Sequence, residues 1–214
     1  MKSVLISIQP KWCELIASGK KTVEVRKTKP KLETPFKVYI YCTKSKNEFL
    51  QSRNNMFFYC EYEDFIGGHG TGTYQRLNGK VIGEFVCDDI TKILNRGSEF
   101  IAEDRSYCEL QTMARGSCLD FVDMKKYFGN NDGYGWHISD LVIYDKPKEL
   151  GEFVVEGDCL NGDCKKCKWF DSGNDYNVEA DCLLPYDFHF KKAVKPLFRP
   201  PQSWCYVESE SDAE

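Results

Sequence analysis

A lysine, a glutamate and an arginine lie within six residues of one another near the start of the chain, as Lys21, Glu24 and Arg26. An arginine can hold a phosphate or carbonyl oxygen through two N–H donors, and a glutamate can accept a proton or bind an exocyclic amine. We therefore predict that all three residues bind a ligand, and that Lys21 and Glu24 form the candidate catalytic pair. The alternative is a structural ion pair between Glu24 and Arg26.

The strand predicted around these residues alternates between apolar and polar side chains. Val23 and Val25 fall on one face and Glu24 and Arg26 on the other, because successive residues of a strand point to opposite faces. The alternation predicts that the valines pack in the core and that the polar face lines a cleft.

Two further candidates, Trp136 and His137, follow a Tyr-Gly pair later in the chain. A histidine beside aromatic rings can act as an acid or base, and a tryptophan can stack on a nucleobase. We predict that both residues contact the ligand. The alternatives are a core position for Trp136 and a structural role for His137.

Four cysteines with short spacings, Cys159, Cys164, Cys167 and Cys182, predict a metal site. Four thiolates can close a tetrahedral zinc site, and Cys-x2-Cys is the hairpin spacing that such sites use. A structural zinc is the predicted cofactor. Unligated thiols and a redox pair or disulfides are the alternatives.

Length and composition exclude several classes of protein. A chain of 214 residues, 42% of them hydrophobic, can bury a core of its own. The net charge of −4 argues against a protein that coats nucleic acid through bulk electrostatics, so any nucleic-acid site must be local. The sequence has no long apolar run and no signal-peptide pattern, which predicts no membrane span. An odd count of 11 cysteines indicates free thiols in a reducing cytoplasm.

Periodicity and turn residues predict the elements that position the candidate site. Residues 3–8 form a buried strand, and Pro10 begins a helix that ends at Ser18 and Gly19. A later amphipathic segment predicts a second helix that stops at Gly129.

Two segments depart from the pattern of the main domain. Residues 44–79 have a glycine cluster and broken periodicity, which predict an insert with little to bury. Beyond residue 153 the chain becomes rich in cysteine, aspartate and glycine. The predicted organisation is a main domain at 1–153, with the insert at 44–79, and a cysteine-rich appendage with an acidic tail at 154–214.

The opening segment, SIQPKWCELIASGKKTVEVRK, resembles that of ASCH-domain proteins in the PUA-like superfamily. In these proteins a strand and a helix lead to a Gly-x-Lys-x-x-Glu-x-Arg pattern, which here is Gly19, Lys21, Glu24 and Arg26. The segments GKVIGEF and YGWHISDLVIYDKPKEL are similar to parts of ASCH proteins from phages and low-GC bacteria. The resemblance covers residues 1–153.

The resemblance implies an α+β fold in which a PUA-like β-barrel with flanking helices carries the small cysteine-rich appendage. It also implies a cleft for RNA, a nucleotide or a modified nucleoside, so nucleic-acid or nucleotide binding is the predicted function. A few relatives are hydrolases, and small amidohydrolases among them use a lysine and a threonine on this strand. Lys21 matches that lysine and Glu24 stands at the threonine position. The alternative function is therefore a hydrolase that acts on a modified nucleoside or on RNA.

Metal analysis tests the cysteine cluster. Purified protein is expected to carry about one zinc ion per chain, because four thiolates complete one tetrahedral site. Replacing Cys164 and Cys167 by serine should remove the metal, whereas Cys108→Ser, outside the cluster, should not. Freely titrating thiols in a metal-free protein would contradict the prediction.

Overall fold

The computed structural model of the chain describes residues 2–61, 74–157 and 193–209. These residues form three α-helices and fourteen strands. The helices are α1 (Pro10–Ala17), α2 (Tyr107–Ser117) and α3 (Phe121–Phe128). The strands are β1 (Ser3–Ile8), β2 (Val23–Arg26), β3 (Phe36–Cys42), β4 (Glu48–Ser52), β5 (Phe57–Cys60), β6 (Tyr74–Arg76), β7 (Val81–Cys87), β8 (Ile90–Asn95), β9 (Phe100–Ala102), β10 (Gly133–His137), β11 (Ser139–Lys148), β12 (Phe153–Gly157), β13 (Ala193–Pro196) and β14 (Trp204–Ser209).

The first predicted helix is confirmed at both of its ends, and the second is confirmed at its C-terminal end. Pro10 opens α1, where its missing N–H group would have no partner in any case. Gly19, with a φ of +72°, turns the chain away after α1. The Asp120 side chain accepts a hydrogen bond from the Asp123 N–H group at the start of α3, and Gly129 ends this helix.

Helix α2 was not predicted from the sequence. Its first turn carries a capping box, in which the Ser106 hydroxyl accepts from the Glu109 N–H group and the Glu109 carboxylate accepts from the Ser106 N–H group. The αL conformation of Cys118 ends it.

The largest sheet places the strand before α1 at its centre. Its order is β11-β7-β3-β1-β14-β12-β13, with β1 and β3 parallel and the other pairs antiparallel. Gly83 of β7 lies so close to the Val142 carbonyl oxygen of β11 that a Cβ atom would collide with it. The two strands can approach this closely because glycine has no side chain.

Two smaller sheets accompany the large one, in the orders β2-β10-β8-β9 and β5-β4-β6. The α+β class predicted from the sequence is confirmed. Within the described ranges, the hydrogen bonds do not close the strands into the predicted barrel. The chain from 133 to 148 is divided at Ile138 into β10 and β11, which belong to different sheets.

The segment predicted to be an insert with little to bury is packed wherever it is described. Strands β4, β5 and β6 come from it, and its Phe49 and Leu77 side chains are fully buried in the main hydrophobic core. The prediction was wrong for these residues because their burial comes from tertiary packing, in which Phe57 of β5 stacks against Phe49 of β4. No single short window of sequence reveals such contacts. Residues 62–73, which hold the glycine cluster, lie outside the described residues.

The last described segment belongs to the central sheet. Strand β14 pairs antiparallel with β1, with Trp204 opposite Ile6 and Val207 opposite Ser3. The sequence placed this segment in a separate appendage, and most of that predicted appendage, residues 158–192, lies outside the described ranges. The domain boundary at 153 therefore stays a prediction.

The cysteines of the described part of the chain are free thiols, as the odd count predicted. Burial raises the pKa of Cys87 to about 12 and the pKa of Cys205 to about 11. These thiols are consequently protonated and unreactive near neutral pH. No helix in the described ranges has the length and apolar content needed to cross a bilayer.

The burial of Phe49 can be tested against its neighbour on the paired strand. Phe49→Ala should lower the free energy of unfolding by about 3–5 kcal/mol, because it leaves a cavity in the core. Phe58, which is 38% exposed, is the matched control; its replacement by alanine should cost about 1 kcal/mol or less. Chemical denaturation measures both, and similar small losses would show that Phe49 is not a core residue.

Candidate functional site

Strand β2 has both of its faces buried. Val23 and Val25 pack with Met113 of α2 in one hydrophobic cluster, so the predicted core face of the strand is confirmed. Glu24 and Arg26 lie on the opposite face, and they are only 6% and 7% exposed. The polar face is therefore covered by protein, which the sequence pattern did not show.

The three predicted residues form one ionic cluster, consisting of Lys21, Glu24 and Arg26. An Nη atom of Arg26 lies 2.9 Å from Glu24 Oε1, and Lys21 Nζ lies 3.4 Å from Glu24 Oε2. One carboxylate thus bridges two cations, each through a different oxygen. The sequence offered a structural ion pair and a ligand site as alternatives. In the structure, both involve the same side chains.

Backbone carbonyls anchor each cation of the cluster to another part of the fold. Lys21 Nζ donates to the Ser117 carbonyl oxygen at 2.5 Å, at the end of α2. Arg26 donates from an Nη atom to the Ser7 carbonyl oxygen of β1 at 2.7 Å. The cluster consequently ties β2 to a helix and to the central sheet.

The cluster carries one excess positive charge, since Lys21 and Arg26 face a single carboxylate. One polar atom in it is also unused: Arg26 Nε is buried and has no hydrogen-bond partner among the described residues. A buried donor without a partner is costly and uncommon in folded proteins. The cluster therefore has both charge and hydrogen-bonding capacity for an anionic or acceptor group.

Two lysine–tyrosine pairs form an exposed rim next to the cluster. Lys27 Nζ lies 5.4 Å from the Tyr127 ring centroid, and Lys29 Nζ lies 5.7 Å from that of Tyr134. We call these four residues the lysine–tyrosine rim. Cation–π contacts of this kind hold the ammonium groups near the aromatic rings.

Both tyrosines of the rim lie next to Arg26 of the cluster. Burial raises the pKa of the Tyr127 hydroxyl, while the nearby Arg26 guanidinium opposes that rise. Tyr134 stands directly opposite Arg26 across the β2–β10 pair, which places both side chains on the same face.

A sequence model of the ASCH domain matches residues 6–115. The chain belongs to the ASCH domain family. The matched range contains β2 with all three cluster residues, and it ends before Ser117, Tyr127 and Tyr134. In this ASCH protein, part of the candidate site therefore lies beyond the matched family segment.

The chain is also similar to solved structures of ASCH proteins. An ASCH protein from Zymomonas mobilis is 19% identical, and the match covers 69% of this chain and 73% of that one with a TM-score of 0.43. A tyrosine-to-phenylalanine variant of the Zymomonas mobilis protein is also 19% identical, with coverage of 70% and 77% and a TM-score of 0.43. A search of curated proteins found no match.

Trp136 occupies the core of this ASCH protein. It lies opposite Glu24 on β10 and is fully buried, with its ring centroid 6.0 Å from that of Phe36 and 6.1 Å from that of Trp204. A base cannot stack on Trp136 without displacing a neighbour. The half-buried Trp204 is nearer to solvent, and its indole N–H group donates to Thr28 Oγ1 at 3.0 Å.

His137 lies outside the ionic cluster. It pairs with Val23 rather than with Glu24, so its side chain points to the other face of the sheet. Its Nδ1 atom lies 2.7 Å from Asp88 Oδ1, and both side chains are nearly half exposed. The hydrogen bond from His137 holds the pKa of Asp88 below its usual range. This placement separates His137 from the other predicted ligand-binding residues.

The remaining predicted site residues are Cys159, Cys164, Cys167 and Cys182, and all four lie outside the described residues. Within the described ranges, no group of three or more histidine, cysteine, aspartate or glutamate side chains could hold a metal ion. The zinc site consequently stays a prediction.

The rim tyrosines were not predicted from the sequence, for two different reasons. Tyr134 is two residues before Trp136, and the strand period of two would have placed it on the same face. Tyr127 belongs to α3 and reaches Arg26 only through tertiary packing, for which the local sequence carries no signal.

The ionic cluster makes a clear prediction about stability. Glu24→Gln should lower the free energy of unfolding by about 3–5 kcal/mol, since it leaves two buried cations without their anion. The matched control is Glu103→Gln, because Glu103 pairs with Lys92 at 2.8 Å but is 41% exposed; it should cost about 0–1 kcal/mol. Urea denaturation measures both, and equal losses would contradict the difference in burial.

Proposed function

We propose that this ASCH protein binds RNA at the ionic cluster and the lysine–tyrosine rim. The observation that carries the proposal is a buried cluster with an excess positive charge, bordered by exposed lysines that contact tyrosine rings. Proteins commonly bind single-stranded nucleic acids with positive charge beside aromatic rings, because the lysines contact phosphates and the rings stack on bases.

The distribution of charge supports a local site. The whole chain has a net charge of −4, so it does not attract nucleic acid through its overall field. The rim lysines directly follow β2, and the cluster beside them adds a further positive charge. Affinity should therefore depend on a few contacts and respond to substitutions within them.

A modified base is the more specific ligand that we propose for the same surface. Tyr134 and Trp204 are both half-buried and present partly accessible rings on the side of the cluster. A modified base bound there would stack on an accessible ring, and its exocyclic group would lie at the rim beside the cluster.

Hydrolysis of a modified nucleoside or of RNA is the second candidate. The observation in its favour is the 3.4 Å contact between Lys21 Nζ and Glu24 Oε2, which brings an amine and a carboxylate together. Both groups also serve the fold, because Lys21 donates to Ser117 and Glu24 contacts Arg26. Binding is therefore the leading proposal.

Fluorescence anisotropy with labelled single-stranded RNA tests binding. The double variant Lys27→Ala/Lys29→Ala should weaken binding and lower the salt dependence of log K by about 0.7 per lost phosphate contact. Lys46→Ala/Lys146→Ala removes the same charge from two exposed positions elsewhere and should retain wild-type affinity. Equal affinities for both double variants would contradict the proposed site.

Mass spectrometry of the same mixtures separates a binding protein from an enzyme. RNA and a panel of modified nucleosides should be recovered unchanged if the protein only binds them. A product that forms with wild-type protein and is absent with Lys21→Met would favour the hydrolase. Tighter binding of single-stranded DNA than of RNA would reject RNA as the ligand.

A further inference from the structure

The ionic cluster lacks one negative charge. Lys21 and Arg26 share the carboxylate of Glu24, and all three side chains are at most 9% exposed. The Ser7 and Ser117 carbonyl oxygens stabilise the cations as dipoles but bring no charge. A buried cation without a full counterion is unfavourable, so a monovalent anion is the group that completes the cluster.

Arg26 supplies a donor for such an anion. One of its Nη atoms already serves Glu24 and Ser7, whereas its buried Nε atom has no partner among the described residues. Guanidinium N–H groups match the oxygens of a phosphate. The unused donor and the missing charge therefore occur on one side chain.

Glu24 limits the charge that the cluster accepts. Its carboxylate lies 2.9 Å from Arg26, so an anion bound at Arg26 also approaches a negative group. This repulsion is greater for a dianion such as a terminal phosphate monoester than for a monoanion. An internal phosphodiester carries one negative charge and balances the cluster.

The neighbouring residues extend the same chemistry outward. Lys27 comes directly after Arg26 and contacts Tyr127. Lys29 lies two residues further along the chain and contacts Tyr134. A chain of nucleotides with one phosphate at Arg26 would bring its next phosphates to these lysines and its bases to the rings. A free nucleoside offers no negative charge to the cluster.

We infer that the ionic cluster binds one internal phosphodiester of an oligonucleotide, with Arg26 Nε–H as a donor to a phosphate oxygen. The inference rests on the proposed function and adds to it the part of the ligand that enters the cluster. The bases then lie outside the cluster, on the lysine–tyrosine rim.

Dinucleotides that differ only in the charge of the linkage test the inference on the wild-type protein. Calorimetry or competition anisotropy would compare a dinucleoside monophosphate with its neutral methylphosphonate analogue and with a nucleoside 5′-monophosphate. The charged dinucleotide should bind about tenfold more tightly than the neutral analogue, as expected for loss of a charge-assisted hydrogen bond. It should also bind more tightly than the monophosphate at pH 8, where the monophosphate is a dianion.

The outcomes separate this inference from the proposed function. If both dinucleotides bind equally well and labelled RNA still binds at the rim, the phosphodiester inference is overturned and the proposed function stands. If neither the dinucleotides nor RNA bind, both are overturned. Tighter binding of the monophosphate would reject the argument from charge.

Arg26→Lys identifies the donor. Lysine keeps the positive charge but lacks the Nε–H group, so the preference for the charged linkage should fall several-fold while binding of the methylphosphonate changes little. Arg96→Lys, at an exposed position in the β8–β9 turn, should behave as wild type. A thermal melt checks that each variant is folded, and a wild-type preference in folded Arg26→Lys would exclude Arg26 Nε. If Arg26→Lys does not fold, the comparison of linkages on the wild-type protein decides the inference.

Discussion

The Glu24 carboxylate holds together parts of the fold that are far apart in sequence. It contacts Lys21 and Arg26, and these cations donate to the end of α2 and to β1. The edge strand β2 is thereby fixed to β1 of the central sheet and to the end of helix α2. Because the same three side chains are the candidate ligand site, stability and binding are expected to change together when any of them is replaced.

The contacts of Arg26 also fix the orientation of its guanidinium group within the site. Arg26 can present its Nε–H group in one direction because an Nη atom is held by both Glu24 and Ser7. Ser7 is itself fixed by the segment just before β14, since its N–H group donates to the Ser203 carbonyl oxygen at 2.8 Å and its hydroxyl group donates to the Pro201 carbonyl oxygen at 2.7 Å. The position of the guanidinium is therefore determined by three segments of backbone, a degree of preorganisation that favours recognition of a small group.

The sequence revealed those features that depend on local chemistry. Pro10 and Gly19 mark the ends of α1, and the alternation of Val23, Glu24, Val25 and Arg26 gives both faces of β2. The capping box of Ser106 and Glu109 was also visible in the sequence and would have predicted α2. The burial of the polar face could not be predicted, because Ser7, Ser117 and Tyr127 are brought to it by the tertiary fold. The same limit applies to Trp136, whose place in the core depends on Phe36 and Trp204.

The pairing of β1 with β14 has a consequence for the order of folding. The contacts of β1 with β14 and with the segment just before it join residues as far apart as Ser7 and Pro201, which are separated by 194 positions. A ribosome must synthesise nearly the whole described chain before this edge of β1 can be covered, and until then β1 can pair with β3 alone. Contacts of such long range form slowly, and an uncovered strand edge invites association with other chains. The nascent protein is therefore expected to need its greatest protection from chaperones just before the segment that fixes Ser7 emerges.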